Sequence, residues 1–119
     1  MIVDSACSSG LSALIPAVYQ LAFGDVDMMI SGGLNRQTSD VFTSGVSAIG
    51  AIAKEDAKPF DEEGAGYVIG EGGVLYLLKR LEDAKKDGDD IFAVIHSVHG
   101  SSEAESKSMM APSEIAVRR

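Results

Sequence analysis

The sequence predicts an α/β fold, in which β-strands alternate with helices along the chain. Apolar, strand-like runs cover residues 1–6, 26–31 and 74–79. Helical patterns cover residues 8–23 and 81–87, so each helix follows a strand. Hydrophobic residues make up 45% of the 119, which is typical of a chain that folds.

The first two predicted elements are a short strand at residues 1–6 and a helix at about 8–23. Pro16 lies inside the helical pattern and predicts a kink, because proline lacks a backbone N–H. Gly24 is expected to end the helix as its C-cap. The apolar residues fall on one broad face: Leu11, Leu14, Ile15, Val18, Leu21 and Ala22.

The middle of the chain is less regular. A nearly unbroken apolar run at residues 26–31 predicts a buried, parallel strand that ends at a pair of glycines. Residues 46–53 are small and apolar and predict one short helix. A charged loop with Pro59 and glycines follows at residues 54–66.

The last predicted elements surround a second glycine-rich stretch. Residues 67–69 and 74–79 predict two strands that flank a turn or bulge at Gly70–Gly73. A short helix is expected at residues 81–87 and a final strand at 91–98, and the tail has no clear period.

Composition excludes several function classes. The net charge of −8 argues against a nucleic-acid partner or an anionic membrane surface. A single cysteine cannot form an intrachain disulfide, so we expect a reducing, cytoplasmic location. Asp4 precedes any apolar segment of a signal peptide. No apolar run approaches the roughly 20 residues of a membrane-spanning helix, so no membrane partner is expected.

Cys7 is the strongest candidate for a reactive group. It lies among small residues between the first predicted strand and the first predicted helix. Unpaired backbone N–H groups and the dipole at a helix N-terminus favour the thiolate over the thiol. The alternative is that Cys7 is a small buried hydrophobic residue, the usual role of a lone cysteine.

The motifs around Cys7 and farther along the chain resemble those of the β-ketoacyl synthases, the condensing enzymes of fatty acid and polyketide synthesis. VDSACSSGL at residues 3–11 resembles the nucleophile motif, and KPFDEEGAGYVIGEGG at 58–73 resembles a downstream signature. GDVDMMISGG at 24–33 is similar to the strand and glycine turn between them. Further similar stretches follow in the family's order: the strand at 74–78, the helix at 81–86, and short segments at 101–104 and 111–113.

The resemblance implies a fragment of the thiolase-like fold, whose two similar halves pack as layers of mixed sheet and helices. The chain is expected to hold the end of the first half and the first strand of the second. Residues 1–119 are then one partial β-ketoacyl synthase domain, truncated at both ends. The family has two further strands between the Cys7 strand and the strand at 26–31, which predicts a gap in the sheet.

The resemblance also implies a reaction and its partners. Cys7 accepts an acyl group, which then condenses with a malonyl group as CO₂ is lost. The expected partners are an acyl carrier protein with phosphopantetheine-linked acyl and malonyl groups, and a second copy in a homodimer. No cofactor and no metal are expected. The family's two histidines lie C-terminal of this segment, and we interpret His99, before Gly100 and Ser101, as a decoy for one of them.

Four other features leave alternatives open. We interpret the acidic residues at 61–63 and 71 as part of a solvated loop rather than as a glycosidase or metal site. The resemblance, however, places Glu71 near the active-site layer. Phe42 and Phe60 either line an acyl pocket or pack as core aromatics. Ala65 stands where the family commonly has aspartate, which puts that position's salt bridge in doubt. The acidic residues beside Glu71 in this cluster are Asp61, Glu62 and Glu63. A basic patch either docks the carrier protein or is a solvated helix end; its residues are Lys79, Arg80, Lys85 and Lys86.

Three functional hypotheses remain. The first is the nucleophile-bearing segment of a β-ketoacyl synthase, inactive as an isolated fragment. The second is a non-catalytic dimerisation or interaction module, favoured by the lack of the family's histidines. The third is an unrelated thiol acyltransferase or hydrolase, which needs His96 or His99 as a partner to Cys7.

Overall fold

The computed structural model describes residues 1–36, 39–102 and 118. Its elements alternate between helix and strand, as predicted. They divide into two compact units, one formed by residues 1–32 together with residues from 75 onward, the other by residues 33–74. In chain order the elements are a 3₁₀ turn at Ala6–Ser8, α1 at Ser9–Ser12, α2 at Leu14–Phe23, β1 at Met28–Asn35, α3 at Asp40–Ala48, β2 at Gly72–Lys79 and α4 at Leu81–Asp87.

The predicted helix at residues 8–23 is divided rather than kinked. The break falls at Ala13, and Pro16 is the third residue of α2. In the first turn of a helix the missing N–H of proline has no intrahelical partner to lose. Ending α1 at Ser12 therefore accommodates Pro16. The predicted C-cap at Gly24 is confirmed by its φ of 78° and by its N–H, which donates to the Leu21 carbonyl at 3.2 Å.

Two predicted strands are absent from the structure. Residues 1–5 and 91–98 contain no strand, although both were predicted from their apolar runs. A strand needs a neighbour to satisfy its backbone N–H and C=O groups, and neither run pairs with any strand in the described part of the chain. A third predicted strand, at residues 67–69, is reduced to one parallel bridge between Ile52 and Tyr67.

β1 and β2 form a two-stranded sheet. Arg80, just after β2, contacts the Val26 carbonyl just before β1, so the two strands run antiparallel. The prediction of a buried, parallel strand at 26–31 is wrong for the described residues. Ile30 is 66% exposed, and the buried residue is Ser31, whose hydroxyl donates to the Ala13 carbonyl at 2.9 Å. With β2 as its one described neighbour, β1 keeps an open edge.

The helix of the second unit begins earlier than predicted. It spans Asp40–Ala48 instead of residues 46–53, and Val46 is its one buried residue. Gly50 has a φ of 71°, and its N–H bonds back to the Ser47 carbonyl at 2.9 Å. This left-handed glycine ends the helix, so residues 51–53 are free to meet Tyr67.

Arg80 ties the end of α2 to the start of β1. Its guanidinium donates to the backbone carbonyls of Leu21 at 3.1 Å and Val26 at 2.7 Å. The same group pairs with the carboxylates of Asp27 at 2.6 Å and Asp83 at 2.5 Å. The hydrogen bonds to Asp27, and then to Asp83, raise the pKa of Arg80 above its ordinary value. Such a fork of donors suits arginine and could not be reproduced by lysine.

One described stretch, Ala6–Phe23, meets the length and composition of a membrane-spanning helix. This finding departs from the sequence expectation that no apolar run comes near that length. Core helices of soluble proteins and signal sequences meet the same criteria. The break at Ala13 interrupts the stretch.

Candidate active site

Cys7 is exposed and lies in the 3₁₀ turn that leads into α1. Among the described residues, its sulfur has no disulfide and no hydrogen-bond partner. Ala6, directly before it, has a φ of 53°, in the left-handed region. A non-glycine residue in that region costs roughly 1–2 kcal/mol, so neighbouring contacts must hold it there. Because Cys7 is exposed, the alternative of a buried hydrophobic cysteine is wrong for this structure.

Side chains on both sides of Cys7 hold the strained turn. The Ala6 N–H donates to Asp4 Oδ1 at 3.0 Å. The Ser9 hydroxyl accepts the Ser5 N–H at 3.0 Å and donates to the Ala6 carbonyl at 2.6 Å. Each such bond contributes roughly 0.5–1.5 kcal/mol, enough together to offset the conformational cost at Ala6.

A second set of serine contacts connects the turn to the end of α1. Ser5 Oγ donates to Ser12 Oγ at 2.8 Å, and Ser8 Oγ lies 2.9 Å from both the carbonyl and the hydroxyl oxygen of Ser5. Sequence reasoning missed this network. The signal was the run of serines around Cys7, because serine hydroxyls readily bond nearby backbone groups.

The signature loop at residues 58–73 begins in the second unit with a tight turn. Lys58 and Glu63 form an ion pair at 2.6 Å, and Asp61 Oδ1 accepts the Glu63 N–H at 2.8 Å. The Gly64 N–H donates to the Asp61 carbonyl at 3.0 Å. Asp61 and Glu63 thus stabilise the turn. No group of three metal-ligating side chains occurs in the described ranges.

The next part of the loop depends on Gly66. Its φ is 113°, and a Cβ there would lie 2.7 Å from both the Ala51 carbonyl oxygen and the Ala53 nitrogen. Tyr67 bridges the same segment, since its N–H donates to the Ala51 carbonyl and its own carbonyl accepts the Ala53 N–H, both at 3.0 Å. Only glycine leaves room for this close approach.

The glycine turn before β2 is joined to β1 by one side chain. Asn35 Nδ2 donates to the Gly70 carbonyl at 2.6 Å, and Glu71 next to it is exposed. Ala65 lines an open cleft of about 400 Å³ together with Lys54, Lys58 and Glu63. Phe42 and Phe60 are both exposed, so neither is a core aromatic in the described structure.

The predicted basic patch is largely neutralised by neighbouring carboxylates. Lys79, whose side chain is 15% exposed, pairs with Asp87 and with Asp89, the latter at 2.7 Å. Hydrogen bonds to Asp87, and then to Asp89, raise the pKa of Lys79. Arg80 is held by two carboxylates of its own, and Lys85 lies 3.7 Å from Glu82. Because Lys79, Arg80 and Lys85 are paired in this way, the structure argues against a docking surface of free cations.

The two histidines are exposed and lie in an irregular stretch after α4. The interpretation of His99 as a decoy stays a prediction. Residues 103–104 and 111–113, which also resemble family positions, lie outside the described residues.

Comparison with known proteins decides the family. The model of the β-ketoacyl synthase N-terminal domain matches residues 1–84, a range that contains both the Cys7 turn and the signature loop. This chain belongs to the β-ketoacyl synthase family. The relationship predicted from the motifs is thereby confirmed.

Curated members of the β-ketoacyl synthase family are similar over nearly the whole chain. A non-reducing polyketide synthase from Aspergillus flavus is 42% identical over 111 residues, 92% of this chain and 5% of that protein. A polyunsaturated fatty acid synthase polypeptide from Thraustochytrium is 36% identical over 123 residues, 99% of this chain and 4% of that protein. The chain thus spans about a twentieth of the length of these relatives.

Solved ketosynthases share the fold. The ketosynthase from module 6 of the bacillaene synthase of Bacillus subtilis matches with a TM-score of 0.70 and 33% identity, over 75% of this chain and 16% of that one. A type II polyketide ketosynthase, solved with its acyl-carrier protein and bound to a hexaketide, matches with a TM-score of 0.65 and 27% identity, over 74% of this chain and 23% of that one. The predicted α/β, thiolase-like fold is confirmed.

Proposed function

We propose that this chain is the nucleophile-bearing segment of a β-ketoacyl synthase and that Cys7 is its acyl acceptor. The observation that carries the proposal is the exposed thiol after the strained Ala6, in a stretch that the family model matches. The Cys7 thiolate attacks the carbonyl carbon of an acyl thioester, and the new C–S bond forms as the carrier thiolate leaves. The backbone N–H of Cys7 is proposed as half of the oxyanion hole.

The second half-reaction is condensation. A malonyl thioester loses CO₂, its carbanion attacks the acyl carbon on Cys7, and the Cys7 thiolate is released as the new carbon–carbon bond forms. We propose an acyl carrier protein as the donor of both groups, in a homodimeric, cytoplasmic synthase. The structural relative solved with its acyl-carrier protein supports the carrier as partner.

Removing the thiol tests the acyl-transfer step. Incubation of the chain with an acyl-pantetheine thioester is expected to add one acyl group to Cys7, and Cys7→Ala should show no labelling by mass spectrometry. A peptide of residues 1–12 controls for ordinary thiol reactivity, and the folded chain should react about tenfold faster because its turn is fixed. Labelling of Cys7→Ala at the wild-type level would refute the assignment.

We further propose that these 119 residues alone do not condense. The family stabilises the enolate through two histidines, and the loss of one such donor costs about 10²-fold or more in rate. Purified chain with acyl- and malonyl-carrier substrates should yield no 3-ketoacyl product. Turnover that requires His96 or His99 would contradict this expectation and would assign that histidine a part in the reaction.

A non-catalytic interaction module is the second candidate. The specific observation behind it is the exposed apolar surface of the sheet, where Met28, Ile30, Leu75 and Leu77 are each at least half exposed. If Cys7 accepted no acyl group while the chain still bound a second copy of itself, the interaction module would be favoured over the condensing enzyme.

A further inference from the structure

We propose that Ser9 is a positioning residue for acyl transfer to Cys7, through a hydroxyl that fixes the backbone on the N-terminal side of the thiol. This inference rests on the proposed function, because it assigns Ser9 a part in acylation of Cys7. The side chain of Ser9 reaches back from the first residue of α1 to the two residues before Cys7.

The hydroxyl of Ser9 makes the contacts that such a role requires. A serine hydroxyl has one proton to donate and lone pairs to accept with. At Ser9 the proton goes to the Ala6 carbonyl at 2.6 Å, and a lone pair accepts the Ser5 N–H at 3.0 Å. The two contacts enclose the Ser5 and Ala6 torsions, including the left-handed φ of 53° at Ala6.

No other described side chain contacts both the Ser5 N–H and the Ala6 carbonyl, the two ends of this dipeptide. Asp4 binds the Ala6 N–H between them, and Ser12 reaches hydroxyl groups of other serines. Ser8 Oγ contacts the Ser5 carbonyl but no backbone atom of Ala6. Ser9→Ala therefore removes both closing contacts at once, while Ser9→Thr keeps a hydroxyl.

The test compares two reagents on the full chain. Acyl-pantetheine must approach the sulfur with a defined geometry, whereas iodoacetamide is small and can reach an exposed thiol from many directions. Ser9→Ala is expected to lower the acylation rate about tenfold, in the range typical of misplaced reacting groups. The iodoacetamide rate, measured across neutral and alkaline pH, should change less than about twofold, and Ser9→Thr should restore acylation.

Ala6→Gly supplies the matched background. Glycine adopts the left-handed conformation without the steric cost of a Cβ, so the hydroxyl has no strain to offset there and contributes less to holding the turn. In Ala6→Gly, the further change Ser9→Ala should therefore cost about twofold instead of tenfold. An equal loss in both backgrounds would overturn the proposal, since Ser9 would then act by another route.

Failure of this inference is distinguishable from failure of the proposed function. If the wild-type chain is acylated no faster than the peptide of residues 1–12, the fold does not position Cys7 for acyl transfer, and both proposals are refuted. If wild type exceeds the peptide but Ser9→Ala equals wild type, only the role of Ser9 is overturned. A loss for Ser9→Ala in the acylation and iodoacetamide rates alike would indicate a lower reactivity of the thiol itself rather than lost positioning, and would also overturn it.

Discussion

Gly66→Ala is expected to break the bridge between residues 51–53 and Tyr67. The added Cβ would meet three backbone atoms within 3 Å, none of which can move as a flexible side chain does. The positive φ of 113° adds strain for any residue with a Cβ. Together these effects should cost about 3 kcal/mol locally. Hydrogen exchange at the amides of Ala53 and Tyr67 should accelerate about 100-fold, the factor that corresponds to this energy.

Gly70→Ala is the matched control in the same loop. A Cβ at Gly70 meets no heavy atom within 4 Å, and its backbone carbonyl can still accept the bond from Asn35. Exchange at Ala53 and Tyr67 should therefore stay within about twofold of wild type. If Gly66→Ala exchanged as slowly as wild type, the close approach at Gly66 would not be a feature of the protein in solution.

The isolated chain is expected to associate at micromolar concentration. Leu75 and Leu77 are 61% and 64% exposed, and Met28 is 50% exposed on the strand beside them. Within the described residues, each strand of the sheet has one partner, so each leaves an open edge. Exposed apolar surface and open edges both drive association. Sedimentation velocity should show a dimer or larger species.

Charged substitutions on β2 test whether the chains associate through the sheet. Leu75→Lys with Leu77→Lys should shift the chain towards monomer, since both positions share one face of the strand. Val41→Lys on α3 is the control, because Val41 is also exposed but lies off the sheet. A compact wild-type monomer with a sharp unfolding transition would contradict the prediction.

The elements that follow from local chemistry could be predicted from the sequence. Helix α4 agrees with its predicted span, and both it and α2 end at a left-handed glycine, Gly88 and Gly24. The predicted span of β2 agrees to within two residues, because its apolar run lies between a glycine turn and a helix. These signals need no distant partner.

The elements that depend on distant partners could not be predicted. Residues 91–98 have a strand-like composition, yet a ladder needs a neighbouring strand, and sequence composition does not report whether one is present. The division of the first helix shows a different limit. Pro16 indicates a disruption, but its position in the first turn of α2 follows only once the break at Ala13 is known.

The candidate site shows the same division between local and distant information. Cys7 could be identified from its small neighbours and its place before a helix, and the family match contains it. The left-handed Ala6 and the two contacts of Ser9 were missed, because they depend on torsions that composition does not specify. Sequence reasoning placed Arg80 in a surface patch, whereas its partners at Leu21 and Val26 are far away in sequence.

The contacts of Arg80 also set an order of events during synthesis. Its partners Leu21, Val26 and Asp27 precede it by 59, 54 and 53 positions. At about 5–20 residues per second, they wait on the order of 3–12 seconds before Arg80 is added to the chain. Contacts within residues 33–74, such as Lys58 with Glu63, close over far shorter loops and can form sooner. During that interval the junction between α2 and β1 lacks its arginine, and we expect it to be open to proteases and chaperones.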